Sequence, residues 1–295
     1  AIEIGVYSNN FNELDQLHAV FVFSYFSLLG GETNSLNPIS TTMVTDQNLP
    51  LTLIEIERLL HRGKSDKALS HLNELTQDPE AVRFWYLDYL RGRTMVRLLR
   101  PNADLVLLKY LEHYPGETYK KSALMYLSWY YFLNGQKEEF EKYNGRIMEV
   151  GTRFSGADIL AEFESRNEPH TDLLKARLAY DSGRYNQADS ILSTLDVDKL
   201  SNTNNKQEWH YRKARLAQET PDDALAIYHF TKVVELPFDD SNYYLPVSCI
   251  KIGEIYIEKR EFDKAELWLN KALEYKNYPY VADYQRKAKI LLRSL

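Results

Sequence analysis

The strongest constraint on the fold is a five-residue phrase that occurs twice. Lys175-Ala176-Arg177-Leu178-Ala179 recurs 38 residues later as Lys213-Ala214-Arg215-Leu216-Ala217. The residues that follow match as well: Ala188, Leu192 and Leu195 after the first copy, Ala226, Phe230 and Val233 after the second. Self-similarity at a period of a few tens of residues marks a chain built from stacked units. Within one unit, Ala176 and Ala179 share a face of a helix running from about Thr171 to Ser182, and Gly183 can end it in a left-handed conformation. A second helix from Tyr185 places Ala188, Leu192 and Leu195 at the i, i+4, i+7 spacing of a buried stripe. Neither helix hides its apolar face alone, so each pair must pack on itself and on neighbouring pairs.

Counting the alanine position of each second helix extends the series to Ala68, Ala103, Phe140 (a large residue in that position), Ala188, Ala226 and Ala265. Successive offsets are 35, 37, 48, 38 and 39 residues. The long step implies an insertion near 145–168, with a short extra helix from Asp158 to Ser165. This gives about six repeats from roughly Leu51 to Pro279, capped by a terminal helix from Tyr284 to Leu295. The expected division is 1–50, an N-terminal helix and a long loop left over from an upstream unit, and 51–295, the repeat stack. Thr220-Pro221-Asp222-Asp223 reads as a helix start, with Thr220 as the cap and Pro221 in the first turn.

Composition agrees. Of 295 residues, 44% are hydrophobic, while Gly (12) and Pro (10) are scarce, as an almost all-helical chain with short turns requires. The 22 tyrosines suit a helical stack, because the ring packs while the hydroxyl reaches a wet rim. A net charge of −6 without a long basic run argues against nucleic-acid binding. Cys249 is the single cysteine, so no intramolecular disulfide forms, and it reads as a buried apolar residue.

The 7 histidines show no ligand spacing, and there is no glycine-rich phosphate loop or Gly-x-Ser-x-Gly elbow, so no metal, cofactor or catalytic residue is expected. The paired acids Asp222-Asp223 and Asp239-Asp240 lie at helix starts or turns. The apolar run Leu17 to Leu29 is too short to span a bilayer and is expected to be a buried helix. The chain starts at Ala1, which is expected of a processed or truncated product, either cytoplasmic or exported to the periplasm or cell envelope after loss of a signal sequence.

Gly253, Tyr256, Ala265, Leu269, Ala272 and Pro279 follow the order of small, aromatic and proline positions in the tetratricopeptide repeat, and the chain resembles that family. The ending is similar to that of its inclusion-body-clearance type. The resemblance implies an all-α fold, a right-handed α-α superhelix whose first helices line a concave groove. Carried onto this sequence, the groove slots fall on Arg177, Arg215, Glu254, Trp129 and Gly92. Leu173, Tyr180, Tyr211, Met125 and Asp88 are their expected neighbours.

Arg177 and Arg215 are candidates for gripping a carboxylate or phosphate, although the family's Lys and Asn clamp pattern is not reproduced. The alternative is that each pairs with a carboxylate on a neighbouring helix. Trp85 and Trp129 are candidate anchors for a partner, or else helix-packing residues. The functional expectation is a non-enzymatic adaptor that binds a protein or peptide in the groove. The alternatives are a ligand-binding or hydrolytic protein with a closed cavity, and a structural segment of a longer chain.

Overall fold

A computed structural model describes residues 49–76, 84–153, 155–237 and 242–295. The expected helix and loop within 1–48, and Asp239-Asp240, lie outside these residues. Among the described residues the chain is all-α, with fourteen α-helices and no strand. In order they are α1 Leu49–His61, α2 Ser65–Thr76, α3 Trp85–Arg97, α4 Ala103–His113, α5 Lys120–Leu133, α6 Lys137–Arg146 and α7 Gly156–Glu164. The series continues with α8 Thr171–Asp181, α9 Tyr185–Thr194, α10 Thr203–Glu219, α11 Asp223–Glu235, α12 Tyr244–Glu258, α13 Phe262–Glu274 and α14 Val281–Arg293.

The chain divides into two compact parts, between Leu87 and Asp88. In the first, α1 packs on α2. Ile56, Leu59, Ala68 and Leu72 are buried there, and the Tyr86 hydroxyl donates to Glu57 at 2.7 Å.

In the second part, α4 packs on α5, α5 on α6, α8 on α9, α10 on α11 and α12 on α13. Contacts of α8 with α10 and of α10 with α12 align the first helices of successive hairpins into one wall. The terminal helix α14 covers α12 and α13. It buries Ala288 against Cys249, Ile250, Leu269 and Ala272. Cys249 is buried as expected, and burial pushes its thiol up to about 12.

One turn motif closes every hairpin. Between α8 and α9, the Gly183 amide donates to the Tyr180 carbonyl and the Arg184 amide to the Ala179 carbonyl, both at 2.9 Å. Gly183 sits at φ 81, where glycine carries no side-chain penalty. The same crossed pair of bonds recurs around Gly63, Leu99, Gly135 and Arg260. A corresponding bond from the Asp222 amide to the Ala217 carbonyl closes the hairpin of α10 and α11. Thr220 therefore ends α10, its hydroxyl donating to the Ala217 carbonyl at 3.1 Å. The cap of α11 is Asp222, whose carboxylate accepts from the Leu225 amide at 2.9 Å. This corrects the expected cap at Thr220.

The turns also fix the register of the small residues. A side-chain carbon placed on Gly253 would lie 2.8 Å from Leu269, and one on Gly92 would lie 2.5 Å from Leu107. Gly92 is thus the close-contact position of α3, matching Ala176, Ala214 and Gly253, each seven residues before its turn residue. Its assignment to a groove slot is one residue out of register. The cause is local: Ala103 follows Leu99 by four residues, whereas Ala188 follows Gly183 by five. Counting back from Ala103 therefore overshoots, and the true equivalents of Arg177 and Leu173 are Arg93 and Tyr89 rather than Gly92 and Asp88.

Candidate functional site

The short helix α7 interrupts the series and shapes the candidate site. It is anchored through Asp158, which is fully buried. The Asp158 carboxylate accepts from the Tyr119 amide at 2.8 Å and the Ser122 amide at 3.0 Å, and so caps α5 from outside. The Ser155 hydroxyl donates to the same carboxylate at 2.6 Å. On the next turn of α7, Glu162 pairs with Lys121 of α5 at 3.1 Å, and Lys121 also donates to the Ile147 carbonyl at 2.9 Å. At the other end of the chain, the Tyr280 hydroxyl donates to the Gly156 carbonyl at 2.5 Å, joining the approach to α14 to the start of α7.

A cavity of about 310 Å³ opens between α7 and the wall. Leu160, Phe163 and Glu164 of α7 face Leu174 and Arg177 of α8 across it. The connector 167–170 and the starts of α10 and α12 complete the lining, with Asn202, Asn204, Asn205 and Glu208 on one side and Asn242, Tyr243 and Tyr244 on the other. Asn242 holds the two starts together. It donates to Asn204 at 2.7 Å and to Gln207 at 3.0 Å, and it accepts from the Tyr244 amide at 2.9 Å.

The Arg177 guanidinium donates to Glu164 at 2.7 Å and lies 4.8 Å from the centre of the Trp129 ring. Burial acts to lower its pKa, but Glu164, helped by the nearby Tyr243 and Tyr244, outweighs burial and holds it well above the ordinary arginine value. Arg212, also buried, is held the same way by Glu208 at 2.5 Å.

The residues singled out from sequence fall into separate groups. Arg177 lines the cavity and packs on Trp129, which is only 2% exposed. Arg215 is engaged elsewhere: it donates to the Tyr180 hydroxyl at 2.9 Å and more weakly to the Tyr211 hydroxyl at 3.4 Å, and the Tyr180 hydroxyl donates to Glu219 at 2.7 Å. Glu254 is bridged by Lys251 at 2.8 Å and Lys287 at 2.6 Å. Asp88 is buried at the start of the second part, and Trp85 belongs to the first part. Of the two arginines, Arg177 pairs with a carboxylate and Arg215 with phenols.

The asparagines and the two tyrosines at the start of α12 were missed by sequence reasoning. Their signal was the polar run Asn202-Thr203-Asn204-Asn205, which departs from the turn composition elsewhere in the chain. A second polar contact lies on the other side of α10, where His210 Nδ1 and His229 Nδ1 stand 3.0 Å apart. Burial pushes both imidazoles down to about 4. The two rings are tilted by 43° with their centres 5.3 Å apart, so the short contact joins α10 to α11. Among the described residues no group of three or more His, Cys, Asp or Glu is placed to hold a metal.

No family model and no curated protein matches the chain. Solved structures with similar backbones are helical-repeat proteins. One is a tetratricopeptide repeat protein from Parabacteroides merdae ATCC 43184, 16% identical, covering 92% of this chain and 98% of that one at a TM-score of 0.40. A second is the APC/C hetero-tetramer Cut9-Hcn1, 14% identical, covering 97% of this chain and 63% of that one at a TM-score of 0.36. A third is a Rap protein complexed with competence and sporulation factor, 12% identical, covering 93% and 78% at a TM-score of 0.33. The fold is tetratricopeptide-like. That statement rests on the chain's own hairpins: one turn motif throughout, one small-on-leucine contact, and first helices aligned side by side. No described helix is long and apolar enough to cross a membrane.

Proposed function

We propose that the chain is a non-enzymatic scaffold that holds a peptide segment of a partner protein, and that the contact centres on the cavity between α7 and the wall of first helices. The carrying observation is the cavity lining. Asn167 and Asn205 line it without hydrogen-bond partners for their side chains among the described residues. A carboxamide both donates and accepts, so it can satisfy a peptide group from either side. Beside them stand the aromatic side chains Tyr243, Tyr244 and Phe163, the last with Arg166 4.4 Å from its ring centre. The helix α7 and Pro279 bound the cavity, so a segment of two or three residues enters it while the rest of the partner runs along the wall.

In this reading Arg177 lines the cavity with Trp129 packed against it, and Arg177 is not a free grip for an anion. Arg215, Tyr180 and Tyr211 belong to the wall beyond the cavity, and Glu254 to its far end. The test is selection of heptapeptides from a random displayed library on the full chain, followed by hydrogen exchange of the complex. Protection should concentrate at 167–170, 202–208 and 242–244. Protection confined to other helices, or a library that yields no binder, would overturn the reading.

A further inference from the structure

Two imidazoles that the cavity does not use face each other across the hairpin of α10 and α11. Their Nδ1 atoms stand 3.0 Å apart, and His229 is only 9% exposed. The Trp209 ring closes the contact in, 4.9 Å from His210 and 5.6 Å from His229, and its indole N–H donates to the Leu192 carbonyl of α9 at 2.9 Å. The Tyr228 ring lies 5.0 Å from His229. The charged neighbours are Lys213 of α10, paired with Asp189 of α9 at 2.7 Å, and Lys232 of α11, paired with Glu235 at 2.6 Å, together with Asp198 in the turn before α10.

A contact this short between two nitrogens needs one hydrogen between them. In the neutral pair, one ring carries its hydrogen on Nδ1 and donates, while the other keeps its own on Nε2 and accepts. A first added proton can go to the donor's Nε2 and leave the bond in place. A second must go to the accepting Nδ1. It sets two N–H groups and two positive charges against each other with no acceptor between them. Burial is the main opponent of charge on both rings. Lys232 adds to it at His210 against Asp198 and Glu235, and His210 and Lys213 add to it at His229, so each ring is held down at about 4. An unfolded histidine takes its proton near pH ~6.5, so this stability is present above that value and is lost as pH falls towards the folded one.

We propose that the His210–His229 contact is a proton-operated latch, which ties α10 to α11 through one shared hydrogen and releases them when both rings are charged. The same helix carries Asn204, Asn205 and Glu208 into the cavity, within six residues of His210. Release of α10 therefore loosens one side of the cavity, and a bound peptide leaves in acid. That consequence rests on the peptide-scaffold reading above, whereas the latch does not.

The experiment uses the full chain with isotope-labelled histidine. At about pH 7, nuclear magnetic resonance should show one ring of the pair as the Nδ1–H tautomer, and two Nε2–H rings would overturn the latch. Amide exchange, corrected for its intrinsic pH dependence, should show α10 and α11 losing about tenfold or more in protection relative to α12 and α13 between about pH 7 and pH 5. His229→Asn keeps a side chain that donates and accepts but does not titrate, and should hold its protection over that range. His210→Asn makes the same comparison from the other helix, should the first variant fail to fold. No loss in the wild-type chain, or an equal loss in the variant, would overturn the proposal. Library peptides free of histidine and acidic residues should bind the wild-type chain roughly tenfold more weakly at about pH 5 than at about pH 7, and the variant equally at both. Acid release of α10 with unchanged affinity would take the peptide out of this cavity and leave the latch standing.

Discussion

The hairpins from α8 to α13 and the corner built by α5 and α7 are held by different means. In the hairpins the contacts repeat: Ala188, Ala226 and Ala265 are each at most 1% exposed and sit at the same distance after their turns. The interface is apolar, and the same local code serves each copy. The corner has no copy. It depends on Asp158, Lys121 and Glu162, all buried, with hydrogen bonds that reach from α7 to backbone amides 36 and 39 residues earlier. Repetition lets small apolar contacts add up, whereas a single inserted helix needs strong directional ones.

If that contrast is right, the corner has the most sensitive residue. Asp158→Ala leaves the Tyr119 and Ser122 amides without their acceptor at a buried helix start, and should destabilise by about 3 kcal/mol or more. Urea denaturation measures it, and a loss below that of a typical surface change would show that water replaces the carboxylate. In the hairpins, Ala265→Leu overfills a fully buried contact and should cost roughly 1–3 kcal/mol by the same assay. An unchanged midpoint would break the register of the last repeat. Equal losses at the two sites would remove the distinction between them.

The two regions were also unequally legible in the sequence. Ala188, Leu192 and Gly183 announced a hairpin, because a buried stripe and its stop signal are local properties of the chain. Gly92 shows where that reading slips, since a turn shortened by one residue moves every position counted back across it. Asp158 looked like any acid in a first helical turn, as Asp222 does. One caps its own helix and the other caps a helix 36 residues away, and only the packing separates them. The cavity was hidden for the same reason: Glu164, Glu208 and Tyr243 converge through the placement of α7, which no spacing rule encodes.

Turn chemistry sharpens the comparison with a gain in stability. Arg260 stands at φ 59 where Gly183 stands in the hairpin of α8 and α9, and its side chain is exposed. A non-glycine residue in that conformation costs about 1–2 kcal/mol. Arg260→Gly should therefore stabilise by about 1 kcal/mol, once the greater freedom of glycine in the unfolded chain is subtracted. A drop in melting temperature would mean that Arg260 makes a contact worth more than the strain.

The smallest effect belongs to a polar contact inside the regular region. Burial pushes the Glu254 carboxyl up, and Lys251 and Lys287 outweigh it, so its pKa lies below the usual carboxylate range. A carboxylate depressed in the folded state contributes stability above its unfolded pKa of about 4.3 and loses it as pH falls through the folded value. Glu254→Gln should flatten the acid limb of the melting curve between about pH 5 and pH 3, the window that brackets the unfolded value. The pair is partly exposed, and the difference at pH 7 should stay within about 1 kcal/mol. Because Lys287 belongs to α14, the same variant reports how far the terminal helix depends on charge and how far on Ala288. An acid limb identical in both proteins would assign the cap to apolar packing alone, in contrast to the corner around α7, which relies on buried charge.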